Sequence, residues 1–477
     1  SAISHFPVHP FNRSSNVCGR SIHRGGRSLS RNRHVKFVNL NEYQTVEVEV
    51  EGVIHVAFEH LTCLSAKHYA AVWTHLSSLL SDNGHTQIQK REQHQLANEL
   101  EVLFNCTMKR LNECRSIIQL SQTAVNMAKI IKTVCDCGQR QITNQLFHNA
   151  LIGHNRDKIN RLFQAIAYHA VRLLTQHDYQ GYANLAYACA TAGVVPTCEG
   201  KTLFEHIADA IITIEDQRRT DSSQVLGGAI MNKNHEFTSQ ALSKMLWAYA
   251  TVGHVDTPLF AAMAPTVRAL LVLNEYSNQS LASIAWSYAV ANVDAPALFN
   301  EQFIDGVLEK NDDFKVAQLR QLYQWHLWQK EEKSSNGLPF AFEGKCYKAF
   351  ISTEPRGSCF QMDVMSVLRS IGLSPKEEYL TSKGYSLDAL VEVNGNKIGI
   401  EVDGPTHFIG KEPTGNTTLK QRQVKTLEGI SLVSVPYWRW TELGQDSCVK
   451  KNYLRHELGM NKAKKMLGNK KRVHREV

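Results

Sequence analysis

The sequence predicts a multidomain chain, an α-helical repeat built as a solenoid of helix pairs and followed by a small α/β domain. Three observations carry that expectation. An aromatic-Ala-Tyr-Ala type motif recurs at Tyr187, Trp247 and Trp286, the last two 39 residues apart. A Leu-Phe pair recurs at Phe163, Phe204, Phe260 and Phe299, the last two again 39 residues apart. After Gln329–Gly344 the helical period gives way to alternating apolar segments around Asn394-Gly395, the strongest short hairpin signal there is.

A chain of 477 residues, 43% hydrophobic and 21% charged, is long enough for more than one packed domain and too apolar to be disordered throughout. No run of residues approaches the length of apolar sequence that a membrane-spanning helix needs. The net charge of +8 is carried by the ends. Residues 1–41 hold seven Lys/Arg and no acid, and residues 461–477 hold seven Lys/Arg against Glu476 alone, so the body is acidic on balance. Basic patches on the body must therefore be argued one by one.

Residues 1–41 are rich in Arg, Ser and Asn and have no hydrophobic period, which fits either an organellar transit segment or a solvated basic arm that touches RNA. Residues 42–159 form an N-terminal region. Val46–Phe58 alternates like a short strand pair, and helical periods follow through Leu61–Leu80, Leu96–Leu111 and Ile117–Cys135. Residues 160–330 hold the repeats. Their aligned segments are Ala183–Gly193, Leu242–Gly253 and Leu281–Asn292, and a polar insertion near Glu215–Asn234 lengthens one step to 60 residues. Small Ala residues beside a large aromatic let helices approach closely and bury the ring, so stacked pairs share a continuous core and Trp247, Tyr249 and Trp286 belong inside it. The Leu319–Leu327 helix closes the stack. The eleven cysteines include no Cys-x-x-Cys pair, which predicts mostly buried thiols and no metal site among them.

Residues 331–344 read as a linker, residues 345–460 as the α/β domain and residues 461–477 as a basic tail. In the α/β domain Ser358 caps a helix with Phe360, Val364, Val367, Leu368 and Ile371 on its apolar face. A two-residue turn at Asn394-Gly395 then sets Leu387 opposite Val402, Ala389 opposite Ile400 and Val391 opposite Ile398. On the other face Glu392 meets Lys397, but Asp388 meets Glu401, with Asp403 next on the same side. Carboxylates directly opposite each other are destabilising unless a cation or a proton lies between them, so this face is a site candidate on chemical grounds.

The runs Gly384-Tyr-Ser-Leu-Asp388, Ile400-Glu-Val-Asp-Gly-Pro-Thr-His-Phe408, Leu419-Lys-Gln-Arg422 and Val435-Pro-Tyr-Trp-Arg-Trp440 resemble the RAP domain in order and spacing. The repeats resemble the helical-pair repeats that accompany RAP domains, a group related to octotricopeptide and heptatricopeptide repeats. The RAP domain in turn resembles the very-short-patch-repair branch of PD-(D/E)xK nucleases. That resemblance implies a divalent ion at Asp388 and Glu401, Mg²⁺ or Mn²⁺, if the domain is a nuclease, with Asp403 and His407 completing a catalytic set; without that activity it implies no cofactor. Position 403 is Asp where the nuclease pattern places Lys, and Arg439 stands where the RAP pattern places an acid. The resemblance also implies RNA as partner, through Lys420, Arg422, Lys425, Tyr437, Trp438, Arg439 and Trp440. For Trp438 and Trp440 burial against a helix at Cys448–Leu458 is the equal alternative. The expected function is organellar RNA binding in RNA processing, stability, translation or ribosome assembly, in a mitochondrion or plastid. The alternatives are a metal-dependent endoribonuclease and a structural subunit of an organellar ribosome.

Overall fold

The computed structural model describes residues 50–81, 93–136, 147–152, 156–174, 178–224, 237–272, 275–331, 337–352 and 357–460. The expected transit segment 1–41, the basic tail 461–477 and residues 46–49 of the expected strand pair lie outside that set. Val50–Phe58 is helical rather than extended: Val50, Val53, Ile54 and Ala57 are buried with the i, i+3, i+4, i+7 spacing of one helix face, which the apparent alternation concealed.

Helices α1 (Val50–Glu59), α2 (Ala66–Ser81), α3 (Gln93–Arg110), α4 (Ile117–Asp136), α5 (Asp157–Val171), α6 (Tyr179–Ala192), α7 (Leu203–Gln224), α8 (Ser239–Thr251), α9 (Thr257–Val272), α10 (Asn278–Ala291), α11 (Glu301–Glu309) and α12 (Val316–Glu331) make the repeat region. A small hairpin of β1 (Thr197–Cys198) and β2 (Lys201–Thr202) precedes α7. Consecutive packing of α2, α4, α6, α8, α10 and α12 builds one row, and α5, α7, α9 and α11 lie in a second. Each repeat starts and stops by the same chemistry. Asp178, Thr238 and Ser277 cap α6, α8 and α10 by accepting from Gly181, Ala241 and Ser280 backbone N–H groups. Gly193, Gly253 and Asn292 take left-handed backbone just past those helices, at φ of +65°, +71° and +53°.

The two sequence landmarks belong to one contact. Tyr249 packs edge-on to Phe204 with ring centroids 5.0 Å apart, and its hydroxyl donates to the Phe204 carbonyl at 2.6 Å. Tyr288 repeats this on Phe260 at 5.1 Å, donating to its carbonyl at 2.8 Å. Trp247 and Trp286 are likewise buried. Four of the described cysteines, Cys114, Cys189, Cys198 and Cys346, are buried too, but Cys63, Cys135, Cys359 and Cys448 are exposed, so burial is not the general rule for the thiols. No described helix is long and apolar enough to cross a membrane.

The stack does not end at α12. Helix α13 (Phe340–Ile351) packs beside it, and α14 (Cys359–Ser370) follows, capped by Ser358. A four-stranded sheet comes next, in the order β3-β4-β5-β8, from β3 (Lys376–Leu380), β4 (Ser386–Val393), β5 (Asn396–Asp403) and β8 (Ser431–Pro436). Strands β3, β4 and β5 are antiparallel, whereas β5 and β8 are parallel. The crossover between those two carries a two-stranded excursion, β6 (Phe408–Ile409) with β7 (Glu412–Pro413), and then α15 (Gly415–Glu428). Short α16 (Tyr437–Glu442) and α17 (Ser447–Glu457) end the fold.

One sheet face packs on α14 and α17 through Val364, Leu368, Ala389, Val391, Ile400, Val435 and Leu454. The other joins the repeat core through Tyr385, Leu387, Leu390, Leu419, Val424 and Ile430. The joint is intimate. A Cβ on Gly415 would lie 1.8 Å from the Ala250 carbonyl oxygen and 2.7 Å from Val290 Cγ1, so the start of α15 meets α8 and α10 with no room for a side chain. Gln324 on α12 accepts from Trp286 Nε1 at 2.9 Å and donates to the Tyr385 hydroxyl and to Asn416 Oδ1, both at 3.2 Å. Tyr385 donates to Gln423 at 2.6 Å, and Gln423 donates to the Gln324 carbonyl at 2.9 Å. The expected linker therefore joins two units that share a core.

Candidate functional site

The Asn394-Gly395 turn places the hairpin register as its sequence requires, from Val393 opposite Asn396 to Ala389 opposite Ile400. There the ladder changes. Asp388 does not continue it as a backbone partner of Glu401; its Oδ2 accepts instead from the Val402 backbone N–H at 2.6 Å. Leu387 correspondingly packs beside Gly399 in the core shared with the repeats, not on the face of Ala389 and Val391, so the strictly alternating apolar face ends at Asp388. Gly399 has no room for a side chain, since a Cβ would lie 2.4 Å from Leu432 Cδ2.

The carboxylates meet at the end of β5 where it runs parallel to β8, the strand end at which open α/β sheets receive ligands. Each has a partner that its residue type explains. Lys420, from the second turn of α15, reaches Glu401 Oε2 at 2.6 Å and donates to the Ser386 carbonyl at 2.7 Å. Asp403 is buried, accepting from the Ser434 hydroxyl and from His407 Nδ1 at 3.0 Å. Glu401 Oε1, by contrast with its sister oxygen, is buried without a hydrogen-bond partner. Burial pushes the Glu401 carboxyl up to about 7, with Lys420 opposing the shift and Asp388 adding to it. Burial also raises Asp388, against the Val402 hydrogen bond. The hydrogen bond His407 donates to Asp403 raises the imidazole, which desolvation only partly offsets.

Asp388, Glu401, Asp403 and His407 thus lie together, but their oxygens point largely at protein donors. Among the described residues no three His, Cys, Asp or Glu side chains converge as a metal ligand set. The residues present fit an ammonium group better than a divalent ion, which would have to displace Lys420 from Glu401 and Val402 N–H from Asp388. Ser434 was not singled out from sequence, where a serine within an apolar strand carries no signal of its own.

The basic and aromatic residues separate into two groups. Arg422 is engaged at the joint: it pairs with the buried Glu331 at 2.9 Å and donates to the Val290 and Ala289 carbonyls, the unsatisfied C-terminal end of α10. Trp440 is buried, donating to Asp363 at 2.8 Å with Lys450 5.0 Å over its ring. These contacts, like that of Lys420, turn the side chains inward. Lys425 and Arg439 are exposed, the latter beside Glu442 at 3.2 Å. Trp438 is half-buried, edge-on to Phe408 at 4.3 Å and to Tyr437 at 5.2 Å, on the same strand end as the carboxylates. Thr414 caps α15, and the Thr417 hydroxyl donates back to the His407 carbonyl.

Residues 400–457 match the family model described as RAP domain, spanning Glu401, Asp403, His407, Lys420 and the Tyr437–Trp440 turn. The chain carries a RAP domain. It is also similar to the "RAP domain-containing protein, chloroplastic" of Oryza sativa subsp. japonica, 23% identical over 322 residues. That alignment covers 63% of this chain and 43% of the rice protein, so the chain spans under half the length of its relative. The similarity is longer than the RAP match and so takes in part of the helical repeats.

Proposed function

We propose that this chain binds organellar RNA and acts in its processing, stability or translation or in ribosome assembly, with the plastid as its compartment. The observation that carries the RNA reading is the RAP strand end where half-buried Tyr437, Trp438 and Phe408 stand beside exposed Arg439, a stacking platform next to a cation. The chloroplastic name of the rice relative supports the compartment. Crosslinking the protein in intact plastids and sequencing the attached RNA tests both. Recovery of discrete transcripts or ribosomal RNA is expected; a protein absent from plastids, or free of RNA there, ends the proposal.

Metal-dependent endonucleolytic cleavage is the competing reading, favoured by the unpartnered Glu401 Oε1 within the acid cluster. We place binding first because Lys420 already neutralises Glu401. Cleavage of RNA that needs Mg²⁺ or Mn²⁺ and vanishes in Glu401→Gln would reverse that order.

A further inference from the structure

The hairpin of β6 and β7 cannot hold itself. Its strands are two residues each, they pair with one another and not with the four-stranded sheet, and an isolated two-stranded hairpin is marginal in water. Yet it carries Phe408, the ring that meets Trp438 edge-on at 4.3 Å in the stacking platform. Its support comes from the repeats. Ile409, which alternates with Phe408 along the strand, packs against the core shared with the helical rows. Gly253, the left-handed residue just past α8, lies so close to β7 that a Cβ there would be 3.1 Å from the Pro413 carbonyl oxygen and 3.8 Å from the Gly415 nitrogen.

A second route from α8 runs through the first turn of α15. Gly415 is pressed against the Ala250 carbonyl, which fixes where that turn starts. At its head the Thr414 backbone N–H donates to the His407 carbonyl at 2.9 Å, and the hydroxyl of buried Thr417 donates to the same oxygen at 3.2 Å. The His407 carbonyl and the Phe408 nitrogen belong to one rigid peptide plane, so two donors on that oxygen set the direction in which the chain enters Phe408. Helix α8 thus reaches the platform ring twice, and neither route passes through the four-stranded sheet.

We propose that α8 of the repeats positions the stacking platform of the RAP domain for a single-stranded RNA base, with Gly253 and Thr417 as the positioning residues. The inference rests on the RNA-binding reading and adds that the platform is complete only when it stands on the repeats. A Cβ at position 253 obliges Pro413 to give way by a few tenths of an ångström, and Phe408, its partner across the hairpin, moves with it.

Gly253→Asn in the full chain tests this, because asparagine takes left-handed backbone readily, as Asn292 does past α10, and so adds the Cβ with little backbone strain. Gly193→Asn is the control: it stands just past α6 at φ of +65°, where the nearest neighbour of a Cβ is Arg156 Nη2 at 3.5 Å. Thr417→Val removes the hydroxyl alone, and Thr417→Ser should restore what that variant loses. Two quantities are read: the fluorine NMR resonance of Trp438 in fluorotryptophan-labelled protein, assigned through Trp438→Phe, and the affinity for a fluorescent oligouridine as salt is varied. Gly253→Asn and Thr417→Val should each shift the resonance and weaken binding about threefold to fivefold, a fraction of one stacked base, with the salt slope unchanged because no phosphate contact is lost. Gly193→Asn should do neither. A Trp438 resonance that stays in place in both variants, or equal affinity losses at the two glycines, overturns the positioning role while sparing RNA binding. A wild-type chain that binds no oligouridine, whatever its resonances do, removes the RNA reading, and the proposal falls with it.

Discussion

Glu401 shows how far residue types alone lead. Period-two alternation and the Asn394-Gly395 turn bring Asp388, Glu401 and Asp403 together from sequence, and the structure keeps them together. What offsets their charge was not legible, because Lys420 enters from a helix whose angle to the sheet is set by packing. The resulting shifts have a definite pH consequence. A carboxyl raised in the folded state favours the folded chain while protonated and loses that advantage as pH climbs from its unfolded value of 4.5 to about 7. His407, also raised, contributes stability that is full below 6.5 and lost as pH rises through its folded value. Both act in one direction, so the thermal midpoint should decline from about pH 5 to about pH 8. Glu401→Gln keeps an acceptor for Lys420 and should flatten that decline. A variant curve parallel to wild type would show that Glu401 titrates as an ordinary surface carboxyl.

Between elements, Gly415 carries the sharpest constraint. Its φ demands nothing; only the Ala250 carbonyl and the Val290 side chain exclude a larger residue. Gly415→Ala should therefore destabilise the chain by about 3 kcal/mol through overpacking, measured as a shift of the denaturant midpoint. Gly344→Ala, inside α13 with open space around its Cβ position, should be neutral or stabilise by about 0.5–1 kcal/mol and serves as the control. Equal effects at the two glycines would mean that α15 does not dock on α8 and α10 in solution. The repeat helices and their step are legible in the sequence because 39-residue self-similarity survives without any structure. Val50–Phe58 reads as extended because a short apolar segment satisfies both periods, and the ion pair of Arg422 is hidden in the sequence because its partner, Glu331, lies 91 positions away.

Across the whole molecule the expected boundary at residues 331–344 marks a change of architecture without marking a break in the core. The apolar cluster that begins at Val50 runs through every repeat and continues into Tyr385, Leu387, Leu419, Val424 and Ile430 of the RAP sheet. Polar groups are shared across the same joint: Gln324 is bonded at once to Trp286 of the repeats and to Tyr385 and Asn416 of the C-terminal α/β region, so separation would strand buried donors and acceptors on both sides. Arg422 adds a part-buried ion pair to Glu331 and donates to the Val290 and Ala289 carbonyls, so its loss would strip donors from the end of α10 as well. Units joined by a flexible linker and a wet interface melt separately, whereas units that share an apolar core and a satisfied polar network melt together. Calorimetry of the full chain should therefore show the RAP domain and α8–α13 unfolding in a single endotherm, with any separate, earlier transition confined to the N-terminal helices farthest from the joint. Arg422→Met should lower that shared transition as a whole. A RAP endotherm resolved from that of α8–α13 in the wild-type chain would show that the two are independent bodies and that the inward contacts of Arg422, Gln324 and Gly415 are not what holds them.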